Sequence, residues 1–366
     1  MLKTKITVLG AGAWGQAITS LLCENNNLTN NYQITLWCHE TKIITDLVKC
    51  PQLEITPDLN SALENCEFLF VAIPVKYLRE IFSKLKNIIN FKTKIILLSK
   101  GIEQASLLFS SEIAHAILGP EIKLVVLSGP SFAHDLIAKQ PTAVIIAATN
   151  LIFAQAVKNL FELSPNPANT SPTNTNYKNK NYFHVQISPD ILGVQICAAY
   201  KNITALGAGI LHGAGYRDNT HAYFLTQSLQ ELNLLVYSHS NSQNNHTQTN
   251  HTHAQSEIAR SRATNTVYGL AGVGDLILTA SSTKSRNFQV GAKLGAGIKL
   301  SEIVSHPELA NCEALNTLLA INLLAQKLNL NLPIAQAIYQ AVYTDRSIDQ
   351  TIDQILDALK ISQTIV

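Results

Sequence analysis

The chain has 366 residues, with 27 Lys and Arg residues against 25 Asp and Glu residues, which gives a formal net charge of +2. Charged residues make up only 14% of the chain and hydrophobic residues 46%, which excludes a charge-rich disordered protein, and the length predicts two domains. The small net charge provides no whole-molecule field for nucleic acid or an anionic membrane, so an anionic ligand needs a local group of cations.

Short apolar runs recur through the first half of the chain. They lie at 6–9, 33–37, 68–73, 94–98, 123–127 and 143–148. The runs alternate little between apolar and polar residues, which is typical of strands covered on both faces of a parallel sheet. Most are separated by stretches long enough for a helix. The first half therefore predicts an α/β domain with a doubly wound, Rossmann-type parallel sheet.

A glycine-rich sequence, Gly10-Ala11-Gly12-Ala13-Trp14-Gly15, joins the first run to an apolar helical pattern. In this position Gly10 suits a tight turn, Gly12 suits the close approach of a pyrophosphate, and Gly15 suits packing of a helix against a strand. The motif predicts a bound dinucleotide that is held by backbone N–H groups at the helix N-terminus rather than by charged side chains.

The second run ends in Trp37-Cys38-His39-Glu40, without an acid directly at the strand end and without a pair of arginines. The acid that usually binds the ribose hydroxyls of NAD is therefore absent or displaced to Glu40. The sequence leaves the choice between NAD and NADP open.

Three later runs end in small or polar residues around Pro74, Lys100 and Gly129. Because the carboxyl ends of parallel strands lie along one edge of a sheet, we expect these residues and Gly10–Gly15 to face one cleft. Lys100 is then either a solvated loop lysine or a cation for a bound phosphate or carbonyl group.

Long helical patterns replace the short runs after Ser188 and predict an all-α second domain. The clearest lie at 189–213, 220–237, 312–328 and 333–343. We predict a dinucleotide-binding domain over 1–188 and a helical substrate and catalytic domain over 189–366. The stretches 164–182 and 238–266 are rich in Asn, Thr and Ser and poor in apolar residues, so flexible surface insertions are expected there.

The six cysteines and the clustered histidines show no spacing typical of metal ligands, so reduced thiols and no metal are expected. The N-terminus runs directly into an apolar strand, and no uncharged apolar run reaches the ~18 to 20 residues of a membrane span. We expect a cytoplasmic protein without stable membrane insertion.

Lys201 is the only charged residue between Asp190 and Arg217, within a helical pattern of small and apolar residues. Burial there would lower its pKa and suit it to exchange a proton, unless its stem only crosses an apolar face to reach water. Asp275, with glycines on its N-terminal side, could pair with and orient such a lysine. Alternatively, Asp275 lies in an ordinary turn.

The sequence Ser285-Arg286-Asn287 places an arginine between two hydrogen-bonding side chains. This is the kind of local cluster that a phosphate needs, although an ordinary turn has the same composition.

Together these motifs resemble the NAD(P)-dependent glycerol-3-phosphate dehydrogenases. The residues that carry the resemblance are 10–15, 99–101, 128–133, 193–195, Lys201-Asn202, Asn219, 270–276 and 285–287. The resemblance covers nearly the whole chain except the two polar stretches, and it implies reversible reduction of dihydroxyacetone phosphate to sn-glycerol 3-phosphate, the backbone precursor of phospholipids.

The resemblance also implies a role for individual residues. Lys201 would be the general acid/base, with Asp275 and Asn202 positioning it. Substrate-binding residues would be Lys100, Gly129, Ser131, Ser285, Arg286 and Asn287. Residues for NAD or NADP would be Gly10, Gly12, Ala13, Trp14, Gly15, His39, Lys100, Ala133, Arg286 and Glu313.

The chain departs from the family pattern in the helix after Asn219, where Thr226-Gln227-Ser228 stands in place of Thr-Arg-Gly, and at Ala314, which replaces the usual Gly. Two other functions share the two-domain plan. One is a β-hydroxyacid or 6-phosphogluconate dehydrogenase, which the spacing of Asp275 and 285–287 disfavours. The other is a dinucleotide-binding sensor without catalysis. The sequence does not determine the oligomeric state, for which a homodimer is considered.

Overall fold

The computed structural model describes residues 4–40, 50–51, 53–162, 182–245, 253–310, 312–344 and 347–361. The chain forms two compact units. The first contains Met1–Ser99 and Ser110–Ile191, and the second contains Lys100–Phe109 and Leu192–Val366. The domain limits of 1–188 and 189–366 remain a prediction. The two compact units differ from them in one respect, because the short segment Lys100–Phe109 belongs to the helical unit.

The first unit is built on one sheet. Its strands are β1 (Thr4–Leu9), β2 (Tyr32–Trp37), β3 (Leu53–Thr56), β4 (Cys66–Val71), β5 (Lys94–Leu97), β6 (Lys123–Ser128), β7 (Thr142–Ala147) and β8 (Phe183–Ser188). They lie in the order β3-β2-β1-β4-β5-β6-β7-β8. The order reverses at β1, as a doubly wound fold requires.

Strands β1 to β6 run parallel, which confirms the predicted sheet, whereas β7 pairs antiparallel with β6 and β8 runs parallel to β7. The sheet is therefore dominated by parallel pairs, and among the described strands only the pairing of β6 with β7 is antiparallel. Strands β3 and β8 were not predicted, because β3 is short and β8 alternates polar and apolar residues on a partly exposed edge.

Helices cover the sheet between the strands. They are α1 (Ala13–Glu24), α2 (Asn26–Asn31), α3 (Leu59–Leu63), α4 (Leu78–Leu85), α5 (Ser110–Leu118), α6 (Ala133–Ile137) and α7 (Leu151–Asn159), with a 3₁₀ turn at Val75–Tyr77. Ile6, Val8 and Ile34 on the strands and Ile18 and Leu22 on α1 are completely or almost completely buried in one core. Apolar residues on the central strands are thus covered, as the absence of alternation predicts.

The second unit is helical, as predicted. Its helices are α8 (Ile191–Gly213), α9 (Asp218–Asn245), α10 (His253–Val267), α11 (Asp275–Ala280), α12 (Arg286–Gly295), α13 (Leu300–Ser305), α14 (Pro307–Ala310), α15 (Glu313–Lys327), α16 (Pro333–Tyr343) and α17 (Ile348–Ile361). Every residue of α8 from Gly193 to Leu211 is buried, so this helix is the core of the unit. Within the described part of the chain, no helix is long and apolar enough to cross a membrane.

Helices α8 and α12 approach each other through glycine on both sides. A Cβ on Gly209 would lie 2.2 Å from the carbonyl oxygen of Phe288, and one on Gly291 would lie 2.0 Å from the carbonyl oxygen of Leu206. No real Cβ tolerates such distances. These glycines therefore bring the start of α12 close to the lysine-bearing segment of α8.

The second polar stretch, predicted to be a flexible insertion, is helical where the structure describes it. Residues 238–245 continue α9 and 253–266 form most of α10, so the described part is helical rather than irregular. Val236 and His239 on α9 and Ala263 on α10 are buried, so both helices contribute side chains to the packed interior. Residues 246–252, and 163–181 of the first polar stretch, lie outside the described residues.

Candidate active site

The glycine-rich loop has the shape that a pyrophosphate requires. Gly10 has φ +103°, and a Cβ there would lie 2.7 Å from the carbonyl oxygen of Ala72. A Cβ on Gly15 would lie 1.9 Å from the carbonyl oxygen of Gly10, whereas a Cβ on Gly12 would meet nothing within 4 Å. Gly10 and Gly15 thus close the turn, and Gly12 opens toward solvent at the N-terminus of α1.

A cavity of about 610 Å³ adjoins this loop within the first unit. Its lining residues are Gly10, Ala11, Gly12, Trp37, Cys38, His39, Glu40, Ile73, Tyr77, Glu80, Ile81 and Lys84. The Gly10 N–H donates to the carbonyl oxygen of Trp37 at 3.0 Å, which holds the loop beside the end of β2. The first turn of α1 carries no acidic residue. A dinucleotide would fit this arrangement, because its phosphates would lie by the N–H groups of the helix N-terminus and its adenosine half by the strand end.

Other residues predicted to contact coenzyme or substrate in this unit lie outside the lining of the cavity. Trp14 is half-buried against the core in the first turn of α1. Gly129 follows β6 with φ +121°, and the Ser131 hydroxyl donates to its carbonyl oxygen at 2.9 Å. Ala133 begins α6, the next helix.

Lys201 is buried in the second unit, and its ammonium group has two hydrogen-bond partners. Its Nζ donates to Asp275 Oδ1 at 2.7 Å and to the Thr279 hydroxyl at 3.0 Å. Lys100 Nζ donates to the other carboxylate oxygen, Asp275 Oδ2, at 2.8 Å. The carboxylate is 1% exposed, Lys201 9% and Lys100 17%, so one buried anion holds two ammonium groups. We call Lys100, Lys201, Asp275 and Thr279 the lysine cluster.

The surroundings set the protonation states in this cluster. Burial lowers the pKa of Lys201 to about 8; the carboxylate of Asp275 opposes this change and the positive charge of Lys100 adds to it. Burial alone would raise the pKa of Asp275, but the ammonium groups of Lys100 and Lys201 outweigh it and lower that pKa below its ordinary value. Asp275 is therefore ionised, and Lys201 can exchange its proton near neutral pH.

A π-helical turn over Leu270–Gly274 delivers Asp275 to the first position of α11. Gly272 makes this turn possible, since a Cβ there would lie 1.9 Å from the carbonyl oxygen of Val267. Thr279 lies one helical turn after Asp275 and donates to its carbonyl oxygen at 2.7 Å. The hydroxyl hydrogen is thereby occupied, and its oxygen is left to accept from Lys201.

A second group of polar side chains surrounds Asn202, the residue after Lys201. Asn202 accepts from Asn287 Nδ2 at 2.8 Å and donates to Glu313 Oε2 at 3.2 Å. Asn287 Oδ1 accepts from the Ala314 N–H at 3.1 Å and from the Cys312 thiol at the same distance. These contacts tie the N-termini of α12 and α15 to α8. No hydrogen bond joins the side chains of Asn202 and Lys201 among the described contacts, so any positioning of Lys201 by Asn202 is indirect.

The segment predicted to bind phosphate begins α12. The Ser285 hydroxyl caps this helix by accepting from the Phe288 N–H at 3.4 Å. Arg286 is exposed at its first position, whereas Asn287 is buried and its amide is used in the contacts just described. Of the three residues, Arg286 is the one whose side chain is exposed to solvent.

Sequence reasoning missed two features of this unit. Thr279 could have been found from its spacing of four residues after Asp275, which puts both on one helix face. Glu231 is buried and accepts from the Tyr200 hydroxyl and from the N–H groups of Ile334 and Ala335 at 2.8 and 2.9 Å. It caps α16 from another helix, and no local pattern reveals such a contact.

The departure at Gln227 and Ser228 leaves buried polar atoms. The Gln227 Oε1 and Ser228 Oγ atoms have no hydrogen-bond partner among the described residues. The described residues also contain no group of three or more His, Cys, Asp or Glu side chains that could hold a metal ion.

Comparison with known proteins links both units to one family. A family model described as the NAD-dependent glycerol-3-phosphate dehydrogenase N-terminus matches residues 5–154, and the corresponding C-terminus model matches 190–353. The chain is 32% identical to a Bacillus velezensis protein named glycerol-3-phosphate dehydrogenase (NAD(P)+), over 92% of this chain and 89% of that protein. A Levilactobacillus brevis protein of the same name is 33% identical, over 92% and 93%.

A solved structure gives the same result. The glycerol-3-phosphate dehydrogenase of Coxiella burnetii superposes with a TM-score of 0.78 and 25% sequence identity. The match covers 97% of this chain and 99% of that one.

Proposed function

The chain belongs to the NAD-dependent glycerol-3-phosphate dehydrogenase family, and we propose that it reduces dihydroxyacetone phosphate reversibly to sn-glycerol 3-phosphate with NADH or NADPH. The observation that carries this proposal is the match of both family models, which together take in the glycine-rich loop and the lysine cluster. The product is the backbone precursor of phospholipids, so the chain would supply lipid synthesis.

Lys201 is the general acid in the proposed reduction. A bound coenzyme would supply hydride for the carbonyl carbon, and the carbonyl oxygen would then gain negative charge. An ammonium group beside that oxygen stabilises the charge and donates the proton that completes the alcohol. In the reverse direction the neutral amine takes the hydroxyl proton. A pKa of about 8 serves both directions, because each form is populated near neutral pH.

Asp275 and Thr279 position Lys201. Two of the three ammonium hydrogens are used on these acceptors, which leaves one for the substrate oxygen. Lys100 shares the carboxylate of Asp275 and brings a second positive charge to the same place. The two cations favour an electron-rich oxygen beside them, and we assign Lys100 to the substrate on this ground.

Arg286 is proposed as the main phosphate-binding side chain. A guanidinium group binds a phosphate through two parallel hydrogen bonds, and the start of α12 adds a favourable dipole. The contact of Asn287 with Asn202 places this helix end next to the residue after Lys201. Ser285 and Asn287 would support the site mainly by capping and anchoring α12, with Gly129 and Ser131 as further substrate contacts.

The coenzyme is assigned to the loop of Gly10, Gly12 and Gly15 with Ala13, Trp14 and His39. Ala133 follows from the family pattern, as do contacts from Lys100, Arg286 and Glu313. The open position at Gly12 and the cavity beside it support this assignment in the first unit.

The test is an initial-rate assay of the purified chain with NADH and NADPH in parallel. We expect oxidation of the coenzyme with dihydroxyacetone phosphate, and a rate at least about 100-fold lower with dihydroxyacetone, which lacks the phosphate. Turnover of 6-phosphogluconate or a β-hydroxyacid with NAD+ or NADP+, and none of dihydroxyacetone phosphate with NADH or NADPH, would contradict the substrate assignment. Coenzyme binding without turnover of any of them would favour a sensor.

We also propose that the chain works in the cytoplasm as a homodimer. None of the six cysteines is in a disulfide bond and five of them are buried, which suits a reducing compartment. Light scattering of the purified protein checks the dimer, and a monomer at micromolar concentration would contradict it.

A further inference from the structure

We propose that Glu40, together with the ion pair between Glu80 and Lys84, makes the coenzyme cavity select NADH over NADPH. The inference rests on the proposed function, since it concerns the coenzyme of that reaction. It goes further, because the two coenzymes differ only by a phosphate on the adenosine ribose, and the charges around the cavity decide which is accepted.

The first step concerns where the ribose lies. The Gly10 N–H bond to Trp37 fixes the end of β2 beside the pyrophosphate loop. In this fold the adenosine ribose lies at that strand end. Glu40 follows three residues after Trp37 and lines the same cavity, whereas the residues directly after the strand, Cys38 and His39, carry no carboxylate. Glu40 is thus a carboxylate available to accept hydrogen bonds from the ribose hydroxyls.

The second step concerns the charges on helix α4, which also lines the cavity. Glu80 and Lys84 lie one turn apart on α4, and Lys84 Nζ is 2.6 Å from Glu80 Oε1. The Lys84 ammonium and, to a smaller extent, His39 lower the pKa of Glu80, so this carboxylate is ionised. Among the described residues, the charged side chains that line the cavity include those of Glu40, Glu80 and Lys84, and the Lys84 ammonium is already paired with Glu80.

The third step compares the two coenzymes. The 2′-phosphate of NADPH carries about two negative charges, which would enter the cavity with the coenzyme. If Lys84 turned toward the phosphate, it would leave the Glu80 carboxylate unpaired next to the same anion, so little attraction would be gained. Glu40 would repel the phosphate directly. Free ribose hydroxyls meet no such repulsion and can donate to Glu40, which favours NADH.

The experiment measures kcat/KM for NADH and for NADPH, and the dissociation constant of each from quenching of the two tryptophans, of which Trp37 lines the cavity. The variants are Glu40→Gln and Glu80→Gln, with Glu121→Gln, an exposed glutamate outside the cavity lining, as control. We expect the unmodified chain to favour NADH at least tenfold. Each cavity variant should shift the ratio toward NADPH by about tenfold at low ionic strength, Glu80→Gln because it frees Lys84.

A preference for NADPH in the unmodified chain would overturn the inference, and so would cavity variants whose ratios match that of Glu121→Gln. The binding measurement separates this result from failure of the proposed function. If dihydroxyacetone phosphate is not reduced but NADH binds more tightly than NADPH and the two variants reverse this, only the proposed reaction fails. If dihydroxyacetone phosphate is reduced with the same kcat/KM for NADH and NADPH, and the two coenzymes have equal dissociation constants, only the inference about coenzyme choice fails.

Discussion

Replacing Asp275 with Asn removes the negative charge that two buried lysines share, while keeping the shape of the side chain. The pKa of Lys201, about 8 in the intact chain, is held up by this carboxylate against burial and against Lys100. At pH 7 about nine-tenths of Lys201 is therefore protonated. In Asp275→Asn, burial and the positive charge of Lys100 still lower the pKa of Lys201, but the carboxylate that raised it is gone. The pKa of Lys201 therefore falls.

The size of the effect follows from the distances. Unit charges about 4 Å apart interact by about 1 kcal/mol in water and about 4 kcal/mol near a protein surface, and the contact here is shorter and buried. A loss of about 3 kcal/mol would leave roughly a tenth of Lys201 protonated at pH 7. Lost orientation of the ammonium adds a further factor of about ten. We expect kcat for reduction of dihydroxyacetone phosphate to fall about 100-fold.

The assay is kcat for reduction between pH 6 and 9, with unfolding measured in parallel because unpaired buried ammonium groups cost about 3 kcal/mol of stability. Asp357→Asn is the control, since Asp357 pairs with Lys360 at 2.8 Å on the exposed surface of α17. The rate loss should shrink toward pH 6, where Lys201 regains its proton. A loss below threefold, or one that is equal at pH 6 and 8 in a folded variant, would refute the reasoning.

Three further predictions concern pH and packing. In the intact chain, reduction should fall as pH rises through about 8, where Lys201 loses its proton, and oxidation of glycerol 3-phosphate should rise over the same range; parallel profiles in the two directions would contradict the acid/base role. Gly291→Ala should lower the free energy of unfolding in urea by at least about 2 kcal/mol and should lower kcat, because its Cβ would lie 2.0 Å from a backbone oxygen of α8. The control is Gly297→Ala, whose Cβ would meet nothing within 4 Å. Because Gly297 has φ +84°, this variant should lose about 1 kcal/mol of stability, with kcat unaltered. Burial raises the pKa of Glu231 to about 7, so the folded state binds more protons than the unfolded state between pH 4.5 and 7, and stability falls as pH rises through that range. The stability of the intact chain relative to Glu231→Gln should therefore drop by up to about 3 kcal/mol between pH 4.5 and 8 in urea unfolding, and a constant difference would contradict the assignment.

The fold could be predicted wherever local pattern and burial agree. Six apolar runs of the first half form strands, and the family suggested by the motifs is confirmed by the comparisons. The reversal of β7 and the edge strand β8 could not be predicted, because strand direction depends on pairing between distant segments. Residues 238–245 were predicted from their composition to begin a flexible insertion; they continue helix α9, in which Val236 and His239 are buried.

The candidate site, like the fold, could be predicted from the sequence only in part. Lys201 and Asp275 attract notice in a chain with few charges, and the structure places them 2.7 Å apart. Lys100 lies 175 positions before Asp275, so its contact with the same carboxylate depends on the tertiary fold alone. Asn202 was predicted to position Lys201, which stays a prediction; its side chain bonds to Asn287 and Glu313, because neighbouring residues on a helix point in different directions.

The measurement that tests the central claim most directly is the activity of Lys201→Ala alongside its affinity for NADH, with Lys360→Ala on the exposed surface as control. Loss of the proton donor should lower kcat for dihydroxyacetone phosphate at least about 1000-fold, while the dissociation constant for NADH changes less than threefold. A variant that binds NADH and still reduces dihydroxyacetone phosphate at the rate of the intact chain would contradict the assignment of Lys201 as the general acid.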